Sequence, residues 1–131
     1  MLKKIIISAV CLAVAAALCF GGKSLYDLSK YKKIISDVEI RTPDISLIRD
    51  GVYNGFFDAI FVSADVDVTV QNHMITGIVI NEHNNGRGAP AEVITEDVIS
   101  RQSLEVDTIS GATSSSKVIL KAIENALGKG N

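Results

Sequence analysis

The chain has little of several residue types that build metal and redox centres: no tryptophan, two histidines and two cysteines among 131 residues. Cys11 and Cys19 both lie in an apolar run near the start. Eight helical residues would separate them by about 12 Å, beyond the roughly 7 Å limit for a disulfide. From Lys23 onwards there is no cysteine, which excludes thiol chemistry, iron–sulfur clusters and attached haem there. No metal site is expected either, because His73 and His83 fall in a predicted turn and loop without further ligands.

The chain also lacks a basic excess. Without Lys3 and Lys4, the remainder from Lys23 carries eleven Lys and Arg against fifteen Asp and Glu, a formal charge of −4. Nucleic-acid binding calls for a basic face or stripe. We therefore expect no nucleic-acid partner.

An uncharged run from Ile5 to Gly22 predicts a membrane-spanning helix. Eighteen helical residues span about 27 Å, just under the roughly 30 Å hydrocarbon core of a lipid bilayer. We favour an uncleaved signal anchor over residues 1–22. A cleaved signal peptide is the alternative, because Ala13 to Ala17 offers small-residue cleavage sites.

Charge predicts the orientation of this anchor. Lys3 and Lys4 precede the apolar run, which favours a cytoplasmic N-terminus and an exported remainder. Four lysines after the run act in the opposite direction: Lys23, Lys30, Lys32 and Lys33. We expect a single-pass protein of the cell membrane with its domain on the extracytoplasmic side.

Residues 23–49 are predicted to form a stalk and linker. Apolar residues recur there every three or four positions, which continues the helix until Pro43 disfavours it. Asp44 is placed to cap a single turn from Ile45 to Arg49. The domain proper is then assigned to residues 50–131.

The first half of this domain predicts three antiparallel strands. Val52 to Phe57 forms the first, with Gly55 permitting a close backbone approach or a bulge. From Ala64 to Val70 apolar and polar residues alternate, as in a strand with one buried face and one solvent-exposed face. Asn72-His73 suits a two-residue hairpin turn, and Met74 to Glu82 forms the partner strand.

The second half predicts two helices. After a polar loop from His83 to Gly88, Pro90 suits the first turn of a helix that runs to about Gln102. An amphipathic stretch from Lys117 to Leu127 predicts the second. The fold class is therefore α+β, a small antiparallel sheet with two helices, preceded by a transmembrane helix and helical stalk.

Before the last helix stands Asp107-Thr108-Ile109-Ser110-Gly111-Ala112-Thr113. Small hydroxyl residues around a Gly-Ala pair at the start of a helix suit a phosphate group. Unpaired backbone N–H groups and the positive end of the helix dipole point at that place. The alternative is an ordinary N-cap, for which Ser and Thr are common.

The pattern Asp107-x-x-Ser110-Gly111-Ala112-Thr113 resembles the covalent flavinylation signature of the FMN-binding domain family. This domain occurs in the C subunit of the sodium-translocating NADH:quinone oxidoreductase, the G subunit of the Rnf complex and small membrane-anchored electron carriers. The similarity covers roughly residues 50–127 and includes an Asp-Gly-x-Tyr-x-Gly opening at Asp50. The chain lacks the extra segments of the respiratory subunits, so membership of either complex is not implied.

The resemblance implies that Thr113 carries FMN through a phosphoester. A separate exported flavin transferase would attach it, because neither histidine lies near Thr113 in sequence to activate the hydroxyl. Ser114 and Ser115 would donate to the phosphate. Asp107 and Ser110 would help to present the acceptor loop to the transferase. Gly111 and Ala112 would keep the loop narrow enough to enter that enzyme. For Asp107 an Asx turn is an equal alternative.

The loop after the third strand is a second place for flavin contact. Arg87 would balance phosphate charge, and His83 would hydrogen-bond the flavin ring. The alternative is an ordinary polar loop between a strand and a helix.

These predictions combine into one functional hypothesis: a membrane-anchored extracytoplasmic electron carrier with covalent FMN, exchanging electrons with membrane redox partners. A cofactor-free anchored adaptor that keeps only the fold is the second hypothesis. An enzyme that reduces a small acceptor at its flavin is the third. Electron transfer is favoured over an enzyme with its own substrate, because no substrate pocket is recognisable.

Overall fold

The computed structural model describes residues 1–86 and 88–131. It divides into two compact units, residues 1–33 and residues 34–131, and each is described by itself. Helix α1 spans Leu2–Asp37, and its N-terminal part is long and apolar enough to cross a membrane, with none of the apolar window buried.

The second unit is a three-stranded sheet with helices on one face. Its strands are β1 (Gly51–Asp58), β2 (Ser63–Gln71) and β3 (Met74–Asn84). Its helices are α2 (Ile94–Arg101) and α3 (Thr113–Leu127). Short 3₁₀ turns cover Ile45–Leu47, Ala89–Val93 and Gly128–Gly130.

The sheet is an antiparallel meander in the order β1-β2-β3. Asn72 and His73 join β2 to β3, and both have left-handed backbones with φ of 51° and 59°. A two-residue turn with positive φ at both positions matches the right-handed twist of the flanking strands. The predicted hairpin and the α+β class are confirmed.

The core lies between one face of the sheet and α3. Alternate residues of β2 point into it and are buried: Ala64, Val66, Val68 and Val70. The apolar face of α3 covers them, with Val118, Ile119, Ala122 and Ile123 all buried. The apolar residues that recur every two positions in β2 therefore pack against those that recur every 3.6 positions in α3, as the sequence predicts.

The stalk helix is shorter than predicted, because α1 ends at Asp37 and not near Pro43. Lys117 Nζ donates to the carbonyl oxygen of Ile35 (3.1 Å), and Lys121 Nζ donates to that of Glu39 (3.0 Å). Two lysines of α3 thus satisfy carbonyl groups at and just beyond the end of α1, where no intrahelical donor exists. The helix therefore ends six residues before Pro43, and two lysines of α3 bond carbonyl groups there.

The turn after Asp44 is confirmed, although it is shorter than predicted. The Asp44 carboxylate accepts a hydrogen bond from the backbone N–H of Ser46 at 3.1 Å, as an N-cap does. The turn ends at Leu47, two residues before the predicted Arg49.

Two further boundaries differ from the predictions. The helix expected from Pro90 begins as a 3₁₀ turn and becomes α-helical only at Ile94. Helix α3 begins at Thr113, four residues before Lys117. Within this first turn the Ser116 hydroxyl donates to the carbonyl oxygen of Ala112 (2.8 Å).

The face of the sheet opposite α3 carries a hydrogen-bonded polar group. Asn54 Nδ2 donates to Asp65 Oδ1 (2.6 Å) and to Asp67 Oδ1 (2.9 Å). The amide of Asn54, followed by that of Asn81, lowers the pKa of Asp67 below its usual range. This carboxylate therefore adds stability above the ordinary Asp pKa, and that contribution is lost as the pH falls through the lowered value.

Gly55 sets the distance between β1 and α3. A Cβ at this position would collide with the carbonyl oxygen of Ala122 and lie 2.5 Å from the backbone nitrogen of Ala126. Backbone therefore packs against backbone at this point, and Asn125 Nδ2 donates to the Phe56 carbonyl oxygen (2.9 Å) beside it.

Gly55→Ala should therefore lower the free energy of unfolding by about 3 kcal/mol, the upper end for overpacking a close contact. Chemical denaturation of the full chain in detergent, followed by circular dichroism, measures this. Gly77→Ala is the matched control, because its Cβ would meet Thr69 at an ordinary 3.8 Å. Equal effects of the two substitutions would contradict the close packing of β1 on α3.

Candidate functional site

Three chain segments meet at one end of the second unit. Helix α3 runs antiparallel to β1, since Gly130, just after the helix, lies against Tyr53, whereas Ala122 lies against Gly55 further along the strand. The N-terminus of α3 therefore lies at the end of the sheet where β1 turns into β2. The pairing of Ser63 with Asn84 brings the loop after β3 to that same end.

Gly88 joins this loop to α3. A Cβ at Gly88 would lie 2.6 Å from Cβ of Ser115, closer than real Cβ atoms approach. Ser115 itself is 3% exposed. The loop after β3 and the first turn of α3 are thus in direct contact, and the two places singled out in the sequence form one site.

The motif forms a tight turn that opens directly into α3. The Ala112 backbone N–H donates to the carbonyl oxygen of Ile109 at 2.9 Å. Gly111 has φ of 77° and is exposed, with no atom within 4 Å of where a Cβ would stand. This left-handed position favours glycine and leaves the outer side of the turn open.

Ser116 fixes the turn from inside, a role that the sequence reasoning missed. Its hydroxyl accepts from the Ile109 backbone N–H (3.0 Å) and donates to the Ala112 carbonyl oxygen (2.8 Å). The side chain is fully buried. Helical spacing places Ser116 on the same face as Ile119 and Ile123. A hydroxyl residue on this otherwise apolar face was the sequence feature that could have indicated its role.

Thr113 is the first residue of α3 and is exposed. Helix geometry leaves the backbone N–H groups of Thr113, Ser114 and Ser115 without intrahelical acceptors. Ala112 stands at the N-cap and has no side-chain oxygen to accept from them. The arrangement therefore offers an exposed hydroxyl beside backbone donors without intrahelical acceptors and the positive end of a helix dipole.

The other motif residues surround Thr113 in different ways. Asp107 and Ser110 are exposed, Ala112 is buried, and Ser114 is half-buried. An Asx turn at Asp107 would use the backbone N–H of Ile109, but that N–H donates to Ser116 Oγ. Asp107 is thus a solvent-facing carboxylate at the entrance to the turn.

Asn85 holds the loop after β3 in shape. Its Oδ1 accepts from the Gly88 backbone N–H (3.0 Å), and its Nδ2 donates to the His83 carbonyl oxygen (3.0 Å). These two bonds fix the orientation of the amide. Arg87, predicted to balance phosphate charge, lies outside the described residues.

His83 is the last core-facing residue of β3, opposite Ala64. Its side chain is 2% exposed, and its Nδ1 contacts Glu92 Oε1 (3.1 Å) and Asn85 Nδ2 (3.2 Å). Among the described residues, His83 Nε2 is the buried side-chain polar atom without a hydrogen-bond partner. Such atoms are uncommon in native proteins, and this one belongs to a residue of the loop that touches α3.

Comparison with known protein families gives one match: residues 63–128 match the FMN-binding domain. The match begins with the first residue of β2, ends just after α3, and contains the motif, the loop after β3 and α3. Searches of curated proteins and of solved structures gave no match.

Gly88→Ala should separate the loop from α3 and lower the free energy of unfolding by about 2 kcal/mol, because Ser115 Cβ cannot rotate away from the new methyl group. Urea denaturation in detergent gives the value. Gly86→Ala is the control in the same loop, since its Cβ would meet nothing within 4 Å. A neutral Gly88→Ala would show that the loop does not pack on Ser115.

Proposed function

Because the chain belongs to the FMN-binding domain family and so binds flavin, we propose that it carries FMN covalently on Thr113 as a membrane-anchored electron carrier outside the cytoplasm. One observation supports the attachment point above the others. Thr113 is an exposed hydroxyl residue at the N-terminus of a fifteen-residue helix, directly after a left-handed glycine turn.

The residues around Thr113 suit a phosphate ester. The free N–H groups at the start of α3 would hold the phosphate, with the half-buried Ser114 as a further donor. Ser115 is packed against Gly88, so its backbone N–H, more than its hydroxyl, would serve. Bound FMN supplies reversible electron transfer, while the protein supplies attachment, orientation and electrostatics.

His83 offers a polar atom for the flavin itself. Its Nε2 is buried and without a partner in the described residues, and a bound flavin would supply that partner. Glu92 and Asn85 contact the other ring nitrogen and would hold the imidazole in place. The role proposed for His83 is therefore orientation of the cofactor.

The attachment needs a separate flavin transferase. Activated hydroxyl nucleophiles have a base within hydrogen-bond reach. Within residues 1–86 and 88–131, no titratable side chain hydrogen-bonds Thr113, and His83 is buried in contacts with Glu92 and Asn85. The turn at Gly111 is exposed and has no side chain at this position, so it leaves steric access for an enzyme acting on Thr113.

Protein from its native host should exceed the sequence mass by that of FMN less one water, and Thr113→Ala should abolish the increment. Intact mass spectrometry measures both. Thr108→Ala is the matched control, an exposed threonine in the same segment but before the helix, and it should keep the increment.

Full chain made in cells without a flavin transferase should lack the increment while keeping its fold by circular dichroism. Adding transferase with FAD and magnesium should restore it. An increment that survives Thr113→Ala would place the flavin elsewhere, and spontaneous loading would overturn the need for a transferase. Protein from the native host without flavin would favour the cofactor-free adaptor.

The anchor is proposed from α1. Its N-terminal part is long and apolar enough to span a bilayer, and lysines at positions 3 and 4 precede the apolar run. The lysines before the run favour an extracytoplasmic domain, while four lysines after the run act in the opposite direction. Redox partners of the same membrane would be within reach of a domain held there.

Protease added to intact spheroplasts should digest the domain, and carbonate washing should leave the N-terminal fragment in the membrane. Exposure outside the membrane follows from the leading lysines. As a control, the same protease added after lysis should degrade a cytoplasmic marker that was protected before. A domain protected until lysis would show that the lysines after the apolar run set the orientation.

A further inference from the structure

We propose that the turn between β1 and β2, with Ile60 and Phe61 at its tip, is the surface against which the flavin ring held at Thr113 packs. This inference rests on the proposed function. It adds the position of the flavin ring, which the attachment point alone does not define. No residue of this turn belongs to the motif or to the loop after β3.

The tip and Thr113 lie beyond the same end of the sheet. Asn125 Nδ2 bonds the carbonyl oxygen of Phe56, which aligns these two positions. From Asn125 back to Thr113, α3 covers about 18 Å at 1.5 Å per residue. From Phe56, β1 continues in the same direction for about 7 Å to Asp58, and the turn with Ile60 and Phe61 lies beyond it.

Ile60 and Phe61 are exposed, while the residues on either side of them are anchored. Ile60 is 40% exposed and Phe61 is 49% exposed, whereas Ala59 and Val62 are buried. The Ala59 N–H donates to the Val62 carbonyl oxygen (2.8 Å), and the Ile60 N–H donates to Asp58 Oδ1 (2.7 Å). The tip is therefore a fixed apolar surface and not a loose loop.

The backbone of the tip is held in an unfavourable conformation. Ile60 has φ of 78°, a left-handed value that is a genuine outlier for a β-branched residue. Strain of this kind concentrates at ligand-binding positions, where surrounding bonds maintain it. Here the strained turn holds the apolar residues Ile60 and Phe61 at the end of the sheet where Thr113 lies.

Phe61 suits a flavin because both rings are planar and aromatic. Stacked or edge-on aromatic pairs gain free energy beyond the area that they bury. Among the described residues, Phe61 is the exposed aromatic at this end of the domain. Phe56, 53% exposed, lies on the sheet face opposite α3 and serves as a comparison. A ribityl chain between the phosphate and the ring provides the reach from Thr113.

The test uses the full chain loaded in its native host, purified in detergent, with the mass increment measured first. Phe61→Trp should lower flavin fluorescence several-fold, because an indole in contact with an excited flavin quenches it by electron transfer. Phe56→Trp should leave the fluorescence at the level of the unsubstituted protein. Phe61→Tyr, which adds one hydroxyl and quenches by the same contact, replaces Phe61→Trp if the latter does not fold.

Removal of the aromatic ring gives the complementary measurement. Phe61→Ala should shift the equilibrium between packed and free flavin about fivefold toward the free form. The visible circular dichroism of the flavin should weaken, and its quenching by iodide should increase. Phe56→Ala should change neither.

The outcomes separate the two proposals. A full mass increment with unchanged fluorescence in Phe61→Trp and Phe61→Tyr would overturn the ring contact and leave attachment at Thr113 standing. Quenching that is equal in Phe56→Trp and Phe61→Trp would also overturn it. Absence of the increment in the unsubstituted protein would refute the attachment and, with it, this contact.

Discussion

The backbone contact between Gly55 of β1 and Ala122 and Ala126 of α3 is the constraint on which the site depends. It leaves no room for a Cβ, so the helix is pressed against the sheet in one position along β1. That position brings the first turn of α3 to the end of the sheet where the β1–β2 turn and the loop after β3 also lie. Closely packed elements transmit such constraints because they do not deform continuously.

The electrostatics of the site follow from that placement. A helix N-terminus offers unpaired N–H groups and a partial positive charge. Ser116 fixes the turn before α3 by bonding Ile109 and Ala112 from the core side, and these bonds leave the N–H groups of the first helical turn unused. The outer side of the turn, with Gly111 and Thr113, therefore remains open to an anionic group. The remainder of the chain is mildly acidic, so the positive end of α3 is a local feature of the charge distribution.

Local patterns were sufficient to predict most of the fold. The alternation in β2 and the left-handed tolerance of Asn72 gave the hairpin, and the spacing of apolar residues gave α3. The small-residue turn before a helix predicted a place for a phosphate group, and the choice of Thr113 as its carrier is what the resemblance implies and stays a prediction. The resemblance to the FMN-binding domain family added the cofactor, and the family match over residues 63–128 confirms membership.

Features set by contacts between distant residues could not be predicted. The donors to carbonyl groups at and just beyond the end of α1 are Lys117 and Lys121, more than eighty positions away. The backbone of Ile75 is bonded by the side chain of Gln102, which pairs with both its N–H and its carbonyl group. The burial of His83 and the contact of Gly88 with Ser115 likewise appear only once β3 and α3 are placed together.

Localisation of the flavin within one peptide tests the central claim most directly. Trypsin cleaves after Arg101 and Lys117, which releases Gln102 to Lys117 with Thr113 inside it. Fragmentation of this peptide from native-host protein should place FMN, as a phosphoester, on Thr113, with Thr108 and Ser114 to Ser116 unmodified. Flavin on any other residue, or an unmodified peptide accompanied by free FMN, would contradict the account.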